Sequence, residues 1–235
     1  MRCERCGTIN DDNHKFCFEC GNFLHTTTSE AHFILALNAE REGKIQEAFK
    51  ECKIMIDENP NNVYAHKLLG YLYYHEGMLD HAIISYKKAI DLNPKYLDAY
   101  YELGIAYFLA CQVKMSIKMF KKVLEIHPEY RATYYRLGIS YYHHGNFEKA
   151  KYFFKESIVL TPNYLMAHYY LGLIYAKEEK YDLAIKQFEK VLEKNPLSAT
   201  STYQLSNIYS ILGDEKKEAE YKKMSQDFFP VEDDE

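Results

Sequence analysis

The prolines of this chain recur at a single interval. Pro60, Pro94, Pro128, Pro162, Pro196 and Pro230 follow one another every 34 residues. A constant period of that length marks a stack of like units, each too small to bury its own apolar face and sheltered by its neighbours. Six units lie end to end over 29–62, 63–96, 97–130, 131–164, 165–198 and 199–232, with 1–28 in front and a short acidic tail, 233–235, behind.

The fourth unit shows the internal pattern. Tyr134, Leu137, Gly138 and Tyr141 fall on one side of a helix, and Phe147, Ala150, Phe154 and Ser157 form a second helical stripe. Gly145 and Asn146 separate the stripes, and Thr161-Pro162 ends the second, since proline donates no N–H and restricts the residue before it. The expectation is an all-α chain of helix pairs. Across the copies the seventh position is always leucine, and the eighth is Ala36, Gly70, Gly104, Gly138, Gly172 and Ser206. Small residues there suit a close helix crossing, where overpacking costs about 1–3 kcal/mol. In the sixth copy Glu218, Lys222 and Ser225 replace apolar residues, as suits a last helix with nothing stacked on it.

Period, small residues, aromatics and terminal proline together resemble the tetratricopeptide-repeat family over 29–232. The resemblance implies a right-handed superhelical solenoid whose first helices line a concave groove for a partner protein or peptide. By the same resemblance the groove positions are the second, fifth, ninth and twelfth of each unit. They carry Tyr71, Tyr74, Tyr101, Phe108, Tyr135, Tyr142 and Tyr169, interleaved with aliphatic Leu37, Ile105, Ile139 and Leu173. Tyrosine offers rigid apolar area with a polar tip, which suits binding. Tyr101, Tyr135 and Tyr169 are the expected central contacts. The family also uses such tyrosines for ordinary packing between repeats, so both readings stand at this point. The clamp with which some members hold a C-terminal carboxylate is not assembled: Lys67 is followed by Tyr71, Tyr101 by Ile105, and Arg136 stands alone.

Residues 1–24 form a separate expected unit, joined through a linker at 25–28. Cys3-x-x-Cys6-Gly7 and Cys17-x-x-Cys20-Gly21 place four thiolates to close a tetrahedron around one ion. The stretch resembles the small zinc ribbons at the N-termini of many proteins. A single structural zinc is expected, its binding free energy (about 10–16 kcal/mol) serving as folding energy. Two disulfides would need an oxidising compartment, and rubredoxin-like iron has a longer gap between knuckles. Thr27 and Glu30 have the spacing of a capping box for the first repeat helix. Phe16, Phe18, Phe23 and Leu24 could cover the N-terminal face of that repeat.

Composition excludes several classes of function. With 29 Lys and Arg against 34 Asp and Glu, the net charge of −5 argues against broad capture of nucleic acid or anionic membrane. No apolar run approaches the roughly 20 residues of a membrane span. The opening MRCERCG lacks the apolar segment of a secretory signal, so a cytoplasmic setting is expected. The ten glycines are all absorbed by knuckles, crossings and turns, leaving none for a phosphate-cradling loop, and an enzyme is not expected. His143 and His144 point in different directions on a helix and do not form a metal site. Cys52 and Cys111 are expected at helical positions as small buried hydrophobes. The alternative function is contact with RNA or DNA through the ribbon, whose charge is balanced, with Arg2, Arg5 and Lys15 offset by Glu4, Asp11, Asp12 and Glu19.

Overall fold

The computed structural model describes residues 7–9, 19 and 29–226. Among these it contains twelve α-helices and, beyond a single bridge residue at Ile9, no strand. The first helices of the six pairs are α1 (Ser29–Arg41), α3 (Val63–His75), α5 (Leu97–Leu109), α7 (Arg131–His143), α9 (Leu165–Lys177) and α11 (Ala199–Leu212). The second helices are α2 (Ile45–Glu58), α4 (Leu79–Leu92), α6 (Val113–Ile126), α8 (Phe147–Leu160), α10 (Tyr181–Lys194) and α12 (Glu215–Gln226).

Each pair is joined by the same backbone turn. Its central residue has positive φ: Gly43 (+74°), Gly77 (+74°), Cys111 (+58°), Gly145 (+79°), Glu179 (+59°) and Gly213 (+76°). The following N–H donates to the carbonyl five residues back, from Lys44 to Ala39 at 2.7 Å through to Asp214 to Tyr209 at 3.0 Å. This is the Schellman arrangement, which satisfies carbonyls that the helix end would otherwise leave bare. It corrects the expectation for Cys111, which lies between helices and is exposed. The turn fixes its backbone in the left-handed region, so its side chain never reaches the core. Cys52 meets the expectation: it is fully buried in α2, and burial, then Glu51, pushes its thiol pKa up to about 12.

A second device closes the turns between pairs. The fourth residue of a first helix reaches back to the carbonyl of the preceding proline. His66 Nε2 lies 2.9 Å from Pro60 O, Tyr134 Oη donates to Pro128 O at 2.7 Å, and His168 Nε2 lies 3.1 Å from Pro162 O. His168 is buried, and its Nδ1 lies 2.8 Å from Gln187 Oε1. The ring thus bridges the proline carbonyl and the Gln187 side chain, and the donor at each nitrogen depends on the tautomer.

At the crossings the small residues are required. A Cβ added to Gly70 would sit 2.7 Å from Tyr86 Cδ1, one on Gly138 would sit 2.6 Å from Phe154 Cδ1, and one on Gly172 would sit 2.8 Å from Phe188 Cε1. The chain divides into two compact units, Met1–Gln112 and Val113–Glu235. In the first, α1 to α5 pack in succession around a core that includes Ala36, Ala48, Cys52, Leu68 and Leu72. In the second, α6 to α12 do the same around residues that include Phe154, Phe188, Leu137, Ile174 and Leu205. None of the described side chains of α12 is buried, in line with the polar character of the sixth copy.

Candidate functional site

The four cysteines Cys3, Cys6, Cys17 and Cys20 lie outside the described residues, as do Thr27 and the aromatic cap Phe16, Phe18, Phe23 and Leu24. Gly7, which follows the first knuckle, has φ +76°. Among the described residues no cluster of His, Cys, Asp or Glu could hold a metal ion, His143 and His144 included.

All seven expected contact residues lie on first helices and are half-buried. Two of the aliphatic positions differ from expectation. Ile105 and Ile139 are only 8% and 9% exposed, so they belong to the core beneath the strip. The reason is their place beside the small eighth residue, where neighbouring helices come closest. In the sixth copy the strip ends, with Tyr203, Asn207 and Ser210 all exposed.

In the first unit the strip is polar. Tyr71 on α3 donates to Glu40 Oε1 at 3.3 Å, and its ring packs on His75 at 4.3 Å between centroids. Lys67 Nζ stands 5.7 Å from the same ring, and Tyr74 meets His75 edge-on at 5.2 Å. Burial, then Glu40, holds the Tyr71 phenol above its usual pKa. Tyr101 and Phe108 take the corresponding places on α5. Tyr86 of α4, packed against Gly70, is fully buried, and its hydroxyl has no hydrogen-bond partner. Burial raises its pKa, followed by Glu102, Tyr74 and Tyr71, all on the first-helix face.

In the second unit the strip is an aromatic network. Tyr135 meets Tyr164 at 4.6 Å and Tyr170 at 6.4 Å, Tyr142 meets Tyr170 at 5.2 Å, and Tyr169 meets Tyr170 at 5.7 Å. Tyr170 also stacks on the buried Phe154 at 5.5 Å with an interplanar angle of 10°. These edge-to-face and offset arrangements suit the ring quadrupoles and hold the rings in place. Lys177 Nζ lies 4.1 Å from the Phe147 ring, which in turn meets Tyr142 at 5.6 Å. Gln204 and Thr200 act against burial on the Tyr169 phenol and lower its pKa in part. Burial raises the pKa of Tyr135, Tyr169 and Tyr170, so their hydroxyls are neutral near pH 7.

Tyr170 is the hub of this network, and the sequence reading left it out. It occupies the sixth position of its copy, and a helical stripe three or four residues wide takes in the sixth position with the second and ninth. The same position holds Glu102 in the third copy and Arg136 in the fourth.

Family models agree with this architecture. A TPR repeat model matches residues 70–110, and tetratricopeptide-repeat models match 132–164 and 166–196. The crystal structure of MamA is 30% identical, with a TM-score of 0.66, over 69% of this chain and 95% of that one. YrrB, described as a TPR protein with an unusual peptide-binding site, is 25% identical, with a TM-score of 0.66, over 77% of this chain and 93% of its own. PilF of Pseudomonas aeruginosa shares the fold at 17% identity, with a TM-score of 0.73, over 86% of this chain and 92% of its own. No curated protein matches the chain.

Proposed function

Since this chain belongs to the tetratricopeptide-repeat family, we propose that it is a non-enzymatic scaffold that holds a partner protein through an extended segment laid along its first helices. The observation that carries this reading is the set of half-buried aromatic residues on the first helices of each unit, held by ring contacts in the second unit. Preformed rings lose little freedom on contact, which favours binding. The peptide-binding site in the description of YrrB, a similar chain, supports the same reading. In the first 24 residues, Cys3, Cys6, Cys17 and Cys20 hold one structural zinc. The positive φ of Gly7 supports this, because a knuckle turns sharply after its second cysteine. Thiolate ligands persist under reducing conditions, which favours a cytoplasmic setting.

The test is selection of binding peptides from a displayed library by the full-length protein. Replacing Tyr101, Tyr142 and Tyr169 together by alanine is expected to weaken the selected peptides at least about ten-fold, while circular dichroism still shows a cooperative helical melt. Tyr135 is left intact because it packs against Tyr164 and Phe154. Undiminished binding by the folded triple variant would remove the proposal.

A further inference from the structure

The exposed faces of the second helices follow a charge pattern that α8 breaks. At the twenty-ninth position of the copies stand Asp57, Asp91, Glu125, Glu193 and Asp227, but Val159 in the fourth. Seven residues earlier, Lys50, Lys118 and Lys186 have Tyr152 as their counterpart on α8. Tyr152 is 57% exposed and Val159 is 73% exposed. Single exposed apolar residues are ordinary. These two share one face of the helix, and the Tyr152 ring stands edge-on to Phe153 at 5.0 Å.

Lys155, exposed, and Glu156, half-buried, lie between them on the same face. Lys151 of this helix pairs with Glu148 and Glu178, whereas Lys155 and Glu156 form no ion pair among the described residues. Lys155 Nζ stands only over the Tyr175 ring, 6.0 Å from its centroid. The midpoint of Tyr152 and Val159 falls between Lys155 and Glu156, which makes the face complementary to itself. A second α8 laid antiparallel about a two-fold axis sets Tyr152 against Val159 and Lys155 against Glu156, each twice. Helix α4 shows the contrast. Its Ile84 is 66% exposed, but Lys87 and Lys88 occupy the midpoint, so a second copy would oppose like charges.

We propose that α8 is the contact through which two copies of this chain form an antiparallel, two-fold dimer. Tyr152 and Val159 supply its apolar ends, and Lys155 and Glu156 fix its direction, since a parallel pairing loses both ion pairs. One helix against one helix is a contact below the roughly 1,200–2,000 Å² of stable complexes. The dimer is therefore weak and forms at high protein concentration. Because α8 is a second helix, the contact uses none of the aromatic strip on the first helices.

The test is sedimentation velocity of the full-length protein from about 5 μM to about 500 μM, with reductant present because Cys111 is exposed. The mass is expected to rise from 27.7 kDa towards twice that value. Val159→Glu restores the acid of the other copies and is expected to weaken dimerisation at least about ten-fold. Its circular dichroism and melting temperature should match the wild type, because the side chain is exposed. Lys155→Glu sets like charges across the axis and is expected to weaken the dimer several-fold. Adding Glu156→Lys to the same chain restores opposite pairing and is expected to bring affinity back to within about three-fold of wild type, a recovery that a merely structural role does not produce. A mass of one chain at every concentration, a dimer indifferent to Val159→Glu, or a charge swap without recovery would each overturn the proposal.

Discussion

Two pairs of residues, 68 positions apart, show how the units differ. In the first unit Glu102 helps to raise the pKa of the buried Tyr86, and in the second Tyr170 stacks on the buried Phe154. Both larger side chains fill the space over a crossing glycine, Gly70 or Gly138. On that shared floor, one unit has a buried phenol without a hydrogen-bond partner and the other has two stacked rings with centroids 5.5 Å apart. The repeat scaffold constrains ring size at the crossing, and polarity is free to vary one helix away.

Truncation should show that the floor is equivalent in both units. Phe154→Ala is expected to destabilise the second unit by about 3–5 kcal/mol in chemical denaturation. A loss below about 1 kcal/mol would mean that the ring carries little of the packing. The hydroxyl swap should act with opposite sign in the two units. Phe154→Tyr places an unpartnered hydroxyl against Tyr170 and is expected to lower stability by about 1–3 kcal/mol, whereas Tyr86→Phe is expected to raise it by about 1 kcal/mol. Shifts of the same sign in both units would break the comparison.

A smaller gain is expected at Thr133. Its hydroxyl is buried without a partner where most copies have alanine, so Thr133→Val should raise stability by about 1 kcal/mol in the same assay. At Cys111 the turn backbone is the one glycine adopts readily, and Cys111→Gly is expected to raise the melting temperature slightly, by up to about 1 kcal/mol in stability. The smallest effect concerns pH. Hydrogen bonds from Lys151 and Lys180 hold the Glu178 pKa below its ordinary value. Its contribution is therefore present above the unfolded-state value near ~4.3 and is lost as pH falls through the lower folded value. Glu178→Gln should flatten this acid limb by at most about 1 kcal/mol in melts across pH 3–6.

The helices and their crossings were legible in the sequence because proline, glycine and leucine each answer a backbone or close-packing demand that few other residues meet. Cys111 was misread because only four of the six copies have glycine at the turn, and the backbone there holds its left-handed shape through hydrogen bonds even with cysteine or glutamate present. The clasp onto the proline carbonyl was missed for a related reason. Any side chain with a donor at the right reach can make it, so His66, Tyr134 and His168 share a role without sharing an identity. The seven aromatic residues do lie on first helices, but helical spacing alone did not separate the core residues Ile105 and Ile139 from their half-buried neighbours. Tyr170 was missed because the sixth position holds Ile34, Leu68, Glu102, Arg136, Tyr170 and Gln204 and so shows no aromatic pattern. The empty hydroxyl of Tyr86 has no sequence signal beyond a tyrosine standing where other copies have phenylalanine.

The Schellman turn has a consequence for how such a chain can be rebuilt. Because main-chain bonds set the bend inside every pair, the turn itself tolerates different side chains at its centre. A whole 34-residue cassette can therefore be exchanged with another. Moving the Tyr86 copy together with the helix that follows it would carry the carboxylates of that helix, Asp98 and Glu102, to a new address.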